Sequence, residues 1–118
     1  SPVSTEALAT LFTNVRGNIQ LVILNACYAE KQAKAIAEVV DCVIGMKNEI
    51  TDTAAITFIV AFYGALGFGR SVQAAFNQGI TALALEGIPE EGIPQLIVRN
   101  GVDADSIVFA EEEAILTR

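Results

Sequence analysis

Apolar positions fall along the chain in blocks whose spacing alternates between helical and continuous. Ser4 and Thr5 are candidate N-caps for a short helix with Leu8, Leu11, Phe12 and Val15 on one side, stopped at Gly17-Asn18. Leu21-Val22-Ile23-Leu24 follows, apolar at every position and closed by Asn25, the pattern of an interior parallel strand covered on both faces. The spacing then predicts a helix from about Glu30 to Val39. Ala33, Ile36, Ala37 and Val40 face inward from it, and Lys31, Lys34 and Glu38 face outward. Cys42-Val43-Ile44-Gly45-Met46 is a second strand.

Thr51 or Asp52 can cap the next helix, Thr53 to Leu66, whose Ile56, Phe58, Ile59, Val60, Phe62 and Tyr63 make it apolar nearly all round. A helix without a polar face is expected to be buried. Gly64, Gly67 and Gly69 end it. Ser71 opens another helix with Val72, Ala75, Phe76, Ile80 and Leu83 in one stripe, which stops near Gly87-Ile88-Pro89. Leu96-Ile97-Val98 reads as a third strand and Ser106 to Ala110 as an edge strand. No internal repeat interrupts this order. It predicts the α/β class, a sheet layered with helices.

Composition narrows the function classes. The chain has 118 residues, which is one small domain or a piece of one. Hydrophobic residues make up 53% and the mean hydropathy is +0.49, too apolar for a disordered tail. No apolar run reaches the ~18 uninterrupted residues of a membrane span, so no membrane partner is expected. Seven basic against 14 acidic residues give a net charge of -7, the wrong sign for a nucleic-acid binder. Most of that excess lies between Glu86 and Arg118, where Glu111-Glu112-Glu113 reads as a solvated flank. The first residue is Ser1 rather than Met, and the chain reads as an excised or processed segment. Two cysteines without a CxxC spacing exclude a disulfide framework and most structural zinc sites, and suit a cytoplasmic setting. The sequence contains no His.

Candidate chemistry gathers where an open α/β sheet places it, outside the carboxyl ends of its strands. Asn25-Ala26-Cys27 occupies that position after the first strand. Backbone N–H groups there can lower a thiol's pKa and donate to an oxyanion, so Cys27 is a candidate nucleophile; the competing reading is a small buried hydrophobe. Cys42 begins a strand inside an apolar run and reads as core. A phosphatase-type loop would need an Arg soon after the thiol, but Tyr28-Ala29-Glu30-Lys31-Gln32 follows. Gly64-Ala65-Leu66-Gly67-Phe68-Gly69 follows a helix rather than a strand, so it is a helix stop and not a phosphate cradle. Glu49 and Asp52, beyond the second strand, can line a pocket for a basic substrate group or serve in ordinary capping and solvation. No cofactor or metal site is expected.

Leu24-Asn25-Ala26-Cys27-Tyr28, preceded by an apolar strand, resembles the catalytic-cysteine segment of the CHAT domains, in the caspase, separase and gingipain group of cysteine peptidases. The likeness continues through Val43-Ile44-Gly45-Met46, Ile50-Thr51-Asp52-Thr53-Ala54-Ala55, Phe58, Phe62-Tyr63, Leu66, Gly69-Arg70-Ser71-Val72 and Ala75. These are similar to the family's strand, acid-bearing loop, Ala-Ala helix, Phe-Tyr pair and Gly-x-Ser turn. The stretch covers about residues 20 to 85, more than half the chain.

The resemblance implies a three-layer caspase-like (Rossmann-like) sheet with helices on both faces, present here as the incomplete C-terminal part of such a domain. It implies that Cys27 attacks a peptide carbonyl while a His accepts and returns the proton. In caspases that His lies roughly 50 residues before the Cys, and only 26 residues precede Cys27. The expected partner is an upstream part of the same protein that supplies the His, the other reading being a parent protein that never had it, and the chain alone is expected to be inactive. Peptides or proteins are the implied substrates, with Glu49 and Asp52 as the acids that would meet a basic residue. The alternative is a non-catalytic CHAT-like module for protein contacts or regulation. Without the earlier strands, one sheet edge should be uncovered, and the N-terminal helix or self-association would cover it.

Overall fold

The computed structural model describes residues 19–27 and 30–109. The expected first helix, Tyr28 and the acidic triplet 111–113 lie outside these residues. The described residues form two compact units. One combines the chain up to Ile50 with Ile93–Val102, and the other combines Thr51–Gly92 with the chain from Asp103 onward.

The first unit is a small mixed sheet with a helix. Strand β1 (Leu21–Cys27) runs parallel to β2 (Cys42–Met46), and β3 (Pro94–Val98) runs antiparallel to β2, giving the order β1-β2-β3. Between β1 and β2 the chain forms helix α1 (Glu30–Ile36). Ala33, Ile36, Ala37 and Val40 lie at helical spacing and bury themselves with Val43, while Val22, Leu24 and Ile97 pack against the cluster. Lys31, Lys34 and Glu38 are exposed, as the pattern predicts. Helical bonding runs past the end of α1, with the Val40 N–H donating to the Ile36 carbonyl at 2.9 Å, which explains why the apolar stripe outlasts the helix.

The central strand is β2, buried at all five positions. The expectation that Leu21–Leu24 is the interior strand is corrected: β1 has one strand neighbour among the described residues, and Leu21 to Leu24 are half-buried. Apolarity on both faces of a strand reports what covers those faces. It says nothing of the ladder on either side.

The second unit is a helical pair. Helix α2 (Asp52–Gly67) begins at Thr51, whose Oγ accepts from the Ala54 N–H at 3.3 Å, and α3 (Val72–Leu85) begins at Ser71, whose Oγ accepts from the Ala74 N–H at 3.0 Å. Helix α2 stops at Gly69, which takes φ +85°. Its N–H reaches the Leu66 carbonyl while the Arg70 N–H reaches that of Ala65, the double bond that closes a helix end and favours glycine. Helix α3 stops in the same way over Gly87.

Phe58 stacks on Phe62 with ring centroids 5.8 Å apart and meets Phe76 edge-on at 5.7 Å. Gly79 lets α3 approach: a Cβ there would stand 2.6 Å from the Phe58 ring. A 3-10 turn at Ala104–Ser106 stands where an edge strand over Ser106–Ala110 is expected, with Ala110 outside the described residues. Asp103 favours the turn, since its carboxylate accepts from the Asp105 N–H and the Ser106 hydroxyl. The Val72 N–H donates to the Ile107 carbonyl at 2.9 Å, tying this turn to α3.

The expectation of a fully buried α2 is also corrected. Ala54, Phe58, Phe62, Ala65 and Leu66 are buried, but Ile56, Val60 and Tyr63 are exposed. No helix among the described residues is long and apolar enough to cross a membrane.

Candidate active site

Parallel strands end on the same edge of a sheet, so the carboxyl ends of β1 and β2 meet there. Cys27 is the last residue of β1 and is the register partner of Met46, the last residue of β2. The sequence pattern puts Cys27 just past a strand ending at Leu24; in the structure the strand itself carries it. The pairing on the way is irregular. From the pair Ile23 and Ile44 to the pair Cys27 and Met46, three residues pass on β1 (Leu24, Asn25 and Ala26) against one on β2, Gly45. Such insertions bend a strand and re-aim its side chains, and they cluster beside active sites.

Glu49 lies in the exposed loop that follows β2, on the edge where Cys27 ends β1. Asp52 belongs to the other unit, as the exposed first residue of α2. There its charge suits the positive end of the helix dipole, while the cap itself is Thr51. Among the described residues neither carboxylate bonds another side chain.

Cys42 opens the central strand with no exposed surface. Burial, and then the nearby Asp41 carboxylate, push its thiol up to about 11, so it stays protonated at neutral pH and is no nucleophile. Asp41 is held by Arg99, whose Nη2 lies 2.6 Å from Oδ1. This pair stands at the other end of the sheet from Cys27, because Val98 pairs with Cys42 and Cys27 with Met46. A cavity of about 400 Å³ opens at that far end between α1 and β3, lined by Lys34, Ala37, Ile97 and Arg99 among others, away from the candidate nucleophile.

No group of three or more His, Cys, Asp or Glu side chains among the described residues is placed to hold a metal ion. Two polar links were not legible in the sequence. Glu90 accepts from the Thr51 N–H at 2.9 Å and from its hydroxyl at 2.6 Å, and the Ser71 hydroxyl donates to Asp105 at 2.8 Å. The caps Thr51 and Ser71 are readable, but their carboxylate partners lie 39 and 34 residues away with no local signal. No protein-family model matches the chain, and no curated protein matches it.

Proposed function

We propose that Cys27 is the nucleophile of a caspase-like cysteine endopeptidase, of which these residues form the C-terminal part. The observation that carries this reading is the position of Cys27: it closes β1 beside the end of β2, directly after a break in strand register. In this reading the thiolate attacks a peptide carbonyl, the carbonyl carbon becomes tetrahedral, and the leaving amine takes the proton removed from the thiol. That proton needs a base. The chain has no His, and in this reading the base comes from an earlier part of the same protein. In the same reading, earlier strands extend the sheet beyond β1 into a three-layer caspase-like domain. Glu49 faces a basic residue of the substrate.

Alkylation with iodoacetamide under native conditions tests the nucleophile, read residue by residue by mass spectrometry. Cys27 is expected to label and Cys42 to stay unlabelled; equal labelling, or preference for Cys42, removes the proposal. The longer protein, with its preceding segment, is then expected to cleave members of a peptide panel and to lose that activity on Cys27→Ala. A longer protein that binds partners, cleaves nothing and tolerates Cys27→Ala instead establishes a non-catalytic interaction module.

A further inference from the structure

We propose that the outward face of α2 is a self-docking surface, on which a second copy of this chain lays its own α2 antiparallel. The inference does not rest on the peptidase reading and involves neither Cys27 nor the edge of β1. Ile56, Val60 and Tyr63 stand at i, i+4 and i+7 on α2 and are 63%, 66% and 53% exposed. That spacing makes one continuous stripe. From Thr53 to Gly69 the sequence has no charged residue, so no charge along the stripe has to be taken out of water. Gly64 and Gly67 continue it, and a Cβ on either would meet nothing within 4 Å beyond its chain neighbours and the helix's own nearby backbone, which lets another helix come close. Phe68, 90% exposed, extends the apolar surface past the helix end.

Charge selects the occupant and its direction. The N-terminal end of α2 carries exposed Asp52 and, bound to Thr51, Glu90, with Glu91 next to it. The C-terminal end is followed by exposed Arg70. Two α2 helices crossed antiparallel about a two-fold axis set the acidic end of each toward Arg70 of the other, and their dipoles oppose. A parallel pair would set acids against acids and Arg70 against Arg70. One helix stripe is a smaller contact than the roughly 800 Å² per partner of a standard interface, so the dimer is a weak one, formed at high protein concentration.

Sedimentation equilibrium on the full chain from 10 μM to 1 mM tests this. The wild-type chain is expected to dimerise in that range. Val60→Asp, at an exposed position, is expected to weaken the dimer at least tenfold with an unchanged far-ultraviolet circular dichroism spectrum. Arg70→Glu is expected to weaken it several-fold, because in the antiparallel pair it meets acids; in a parallel pair it would have no such effect. Thr81→Asp, on the exposed side of α3, is the control and is expected to leave the dimer intact. A wild-type chain that stays monomeric at 1 mM overturns the proposal. So does a Val60→Asp variant that dimerises like wild type, which would assign association to another surface such as the edge of β1.

Discussion

The sheet unit and the helical unit divide the chain's charge unequally. The segments that make up the sheet unit hold five acidic and five basic residues, whereas those of the helical unit hold nine acidic and two basic. The whole net charge of -7 therefore belongs to the helical unit, while the candidate nucleophile belongs to the neutral one. Among the described residues, the carboxylates of the helical unit that form hydrogen bonds do so at turns and helix starts. Glu90 binds Thr51, Asp105 accepts from Ser71, and Asp103 accepts from the Asp105 N–H and the Ser106 hydroxyl. In the sheet unit, Asp41 instead meets a cation, Arg99. Acidity here marks the ends of helices and turns, where unpaired backbone N–H groups need acceptors. Asp52, the first residue of α2, stands at such a helix start.

The two units also differ in what holds them. The helical unit depends on one aromatic cluster and one close helix approach; the sheet unit depends on a central strand with every residue buried. The largest expected effect is therefore Phe58→Ala, which empties the centre of Phe62, Phe76 and Gly79 at a cost of about 3–5 kcal/mol. Urea unfolding would read it as a lower midpoint at unchanged slope. A loss under about 1 kcal/mol, typical of a surface change, would mean that the Phe58 cluster is not the core of this unit.

The sheet unit should instead reveal itself in alkali. The Cys42 thiol, raised from its ordinary 9.0 to about 11, stays protonated in the folded chain after the unfolded chain has begun to ionise. The unfolded state then binds fewer protons than the folded one, so stability is full below pH 9 and falls as pH rises toward 11. At about 1.4 kcal/mol per pH unit of difference, the loss is about 2–3 kcal/mol. Cys42→Ala should flatten that alkaline fall; a fall of equal size in the variant would assign it to other groups.

The legibility of the chain followed the same division. Helix starts at Thr51 and Ser71, the strand Cys42–Met46 and the buried face of α1 were readable, because each rests on chemistry within a few residues. Neighbours in the sheet were not readable. Leu21–Leu24 looks interior by composition and stands at the end of the strand order. The outward face of α2 reads as buried because a window of sequence shows apolarity and not what is available to cover it. The pattern closes the first strand at Leu24, three residues short of Cys27, because the register shift between them depends on β2, nineteen positions further along the chain from Cys27 to Met46, and has no local signature. A 3-10 turn replaced the edge strand at Ser106 because Asp103 captures two donors within three residues, a choice that apolar content alone does not show.

A smaller effect is expected at the Asp41–Arg99 pair. Both side chains are partly exposed, so Arg99→Ala should cost no more than about 1 kcal/mol, read again by urea unfolding. Asp41→Asn carries a second readout. Asp41 is the lesser cause of the raised Cys42 thiol, so removing its charge should bring that pKa down while burial keeps it above the ordinary value. A Cys42 titration unchanged by Asp41→Asn would leave burial as the sole cause.

The smallest effect is the acid counterpart in the helical unit. Hydrogen bonds from the Thr51 hydroxyl, and then from its N–H, hold the Glu90 carboxyl below its ordinary 4.5. A carboxylate depressed in the folded state contributes stability that is fully present above its unfolded pKa and is lost as pH falls through the folded value. The Glu90 carboxyl is open to solvent, so the change in stability should be slight and the titration itself is the better measurement. Carbon-13 NMR of the Glu90 side-chain carboxyl should show a midpoint below 4.5 in the wild-type chain. Thr51→Ala should move it up toward the ordinary value, and Thr51→Ser, which keeps the hydroxyl, should not. A wild-type midpoint at or above the ordinary value would mean that Glu90 does not hold the start of α2, and the assignment of this unit's acids to caps would lose its clearest case.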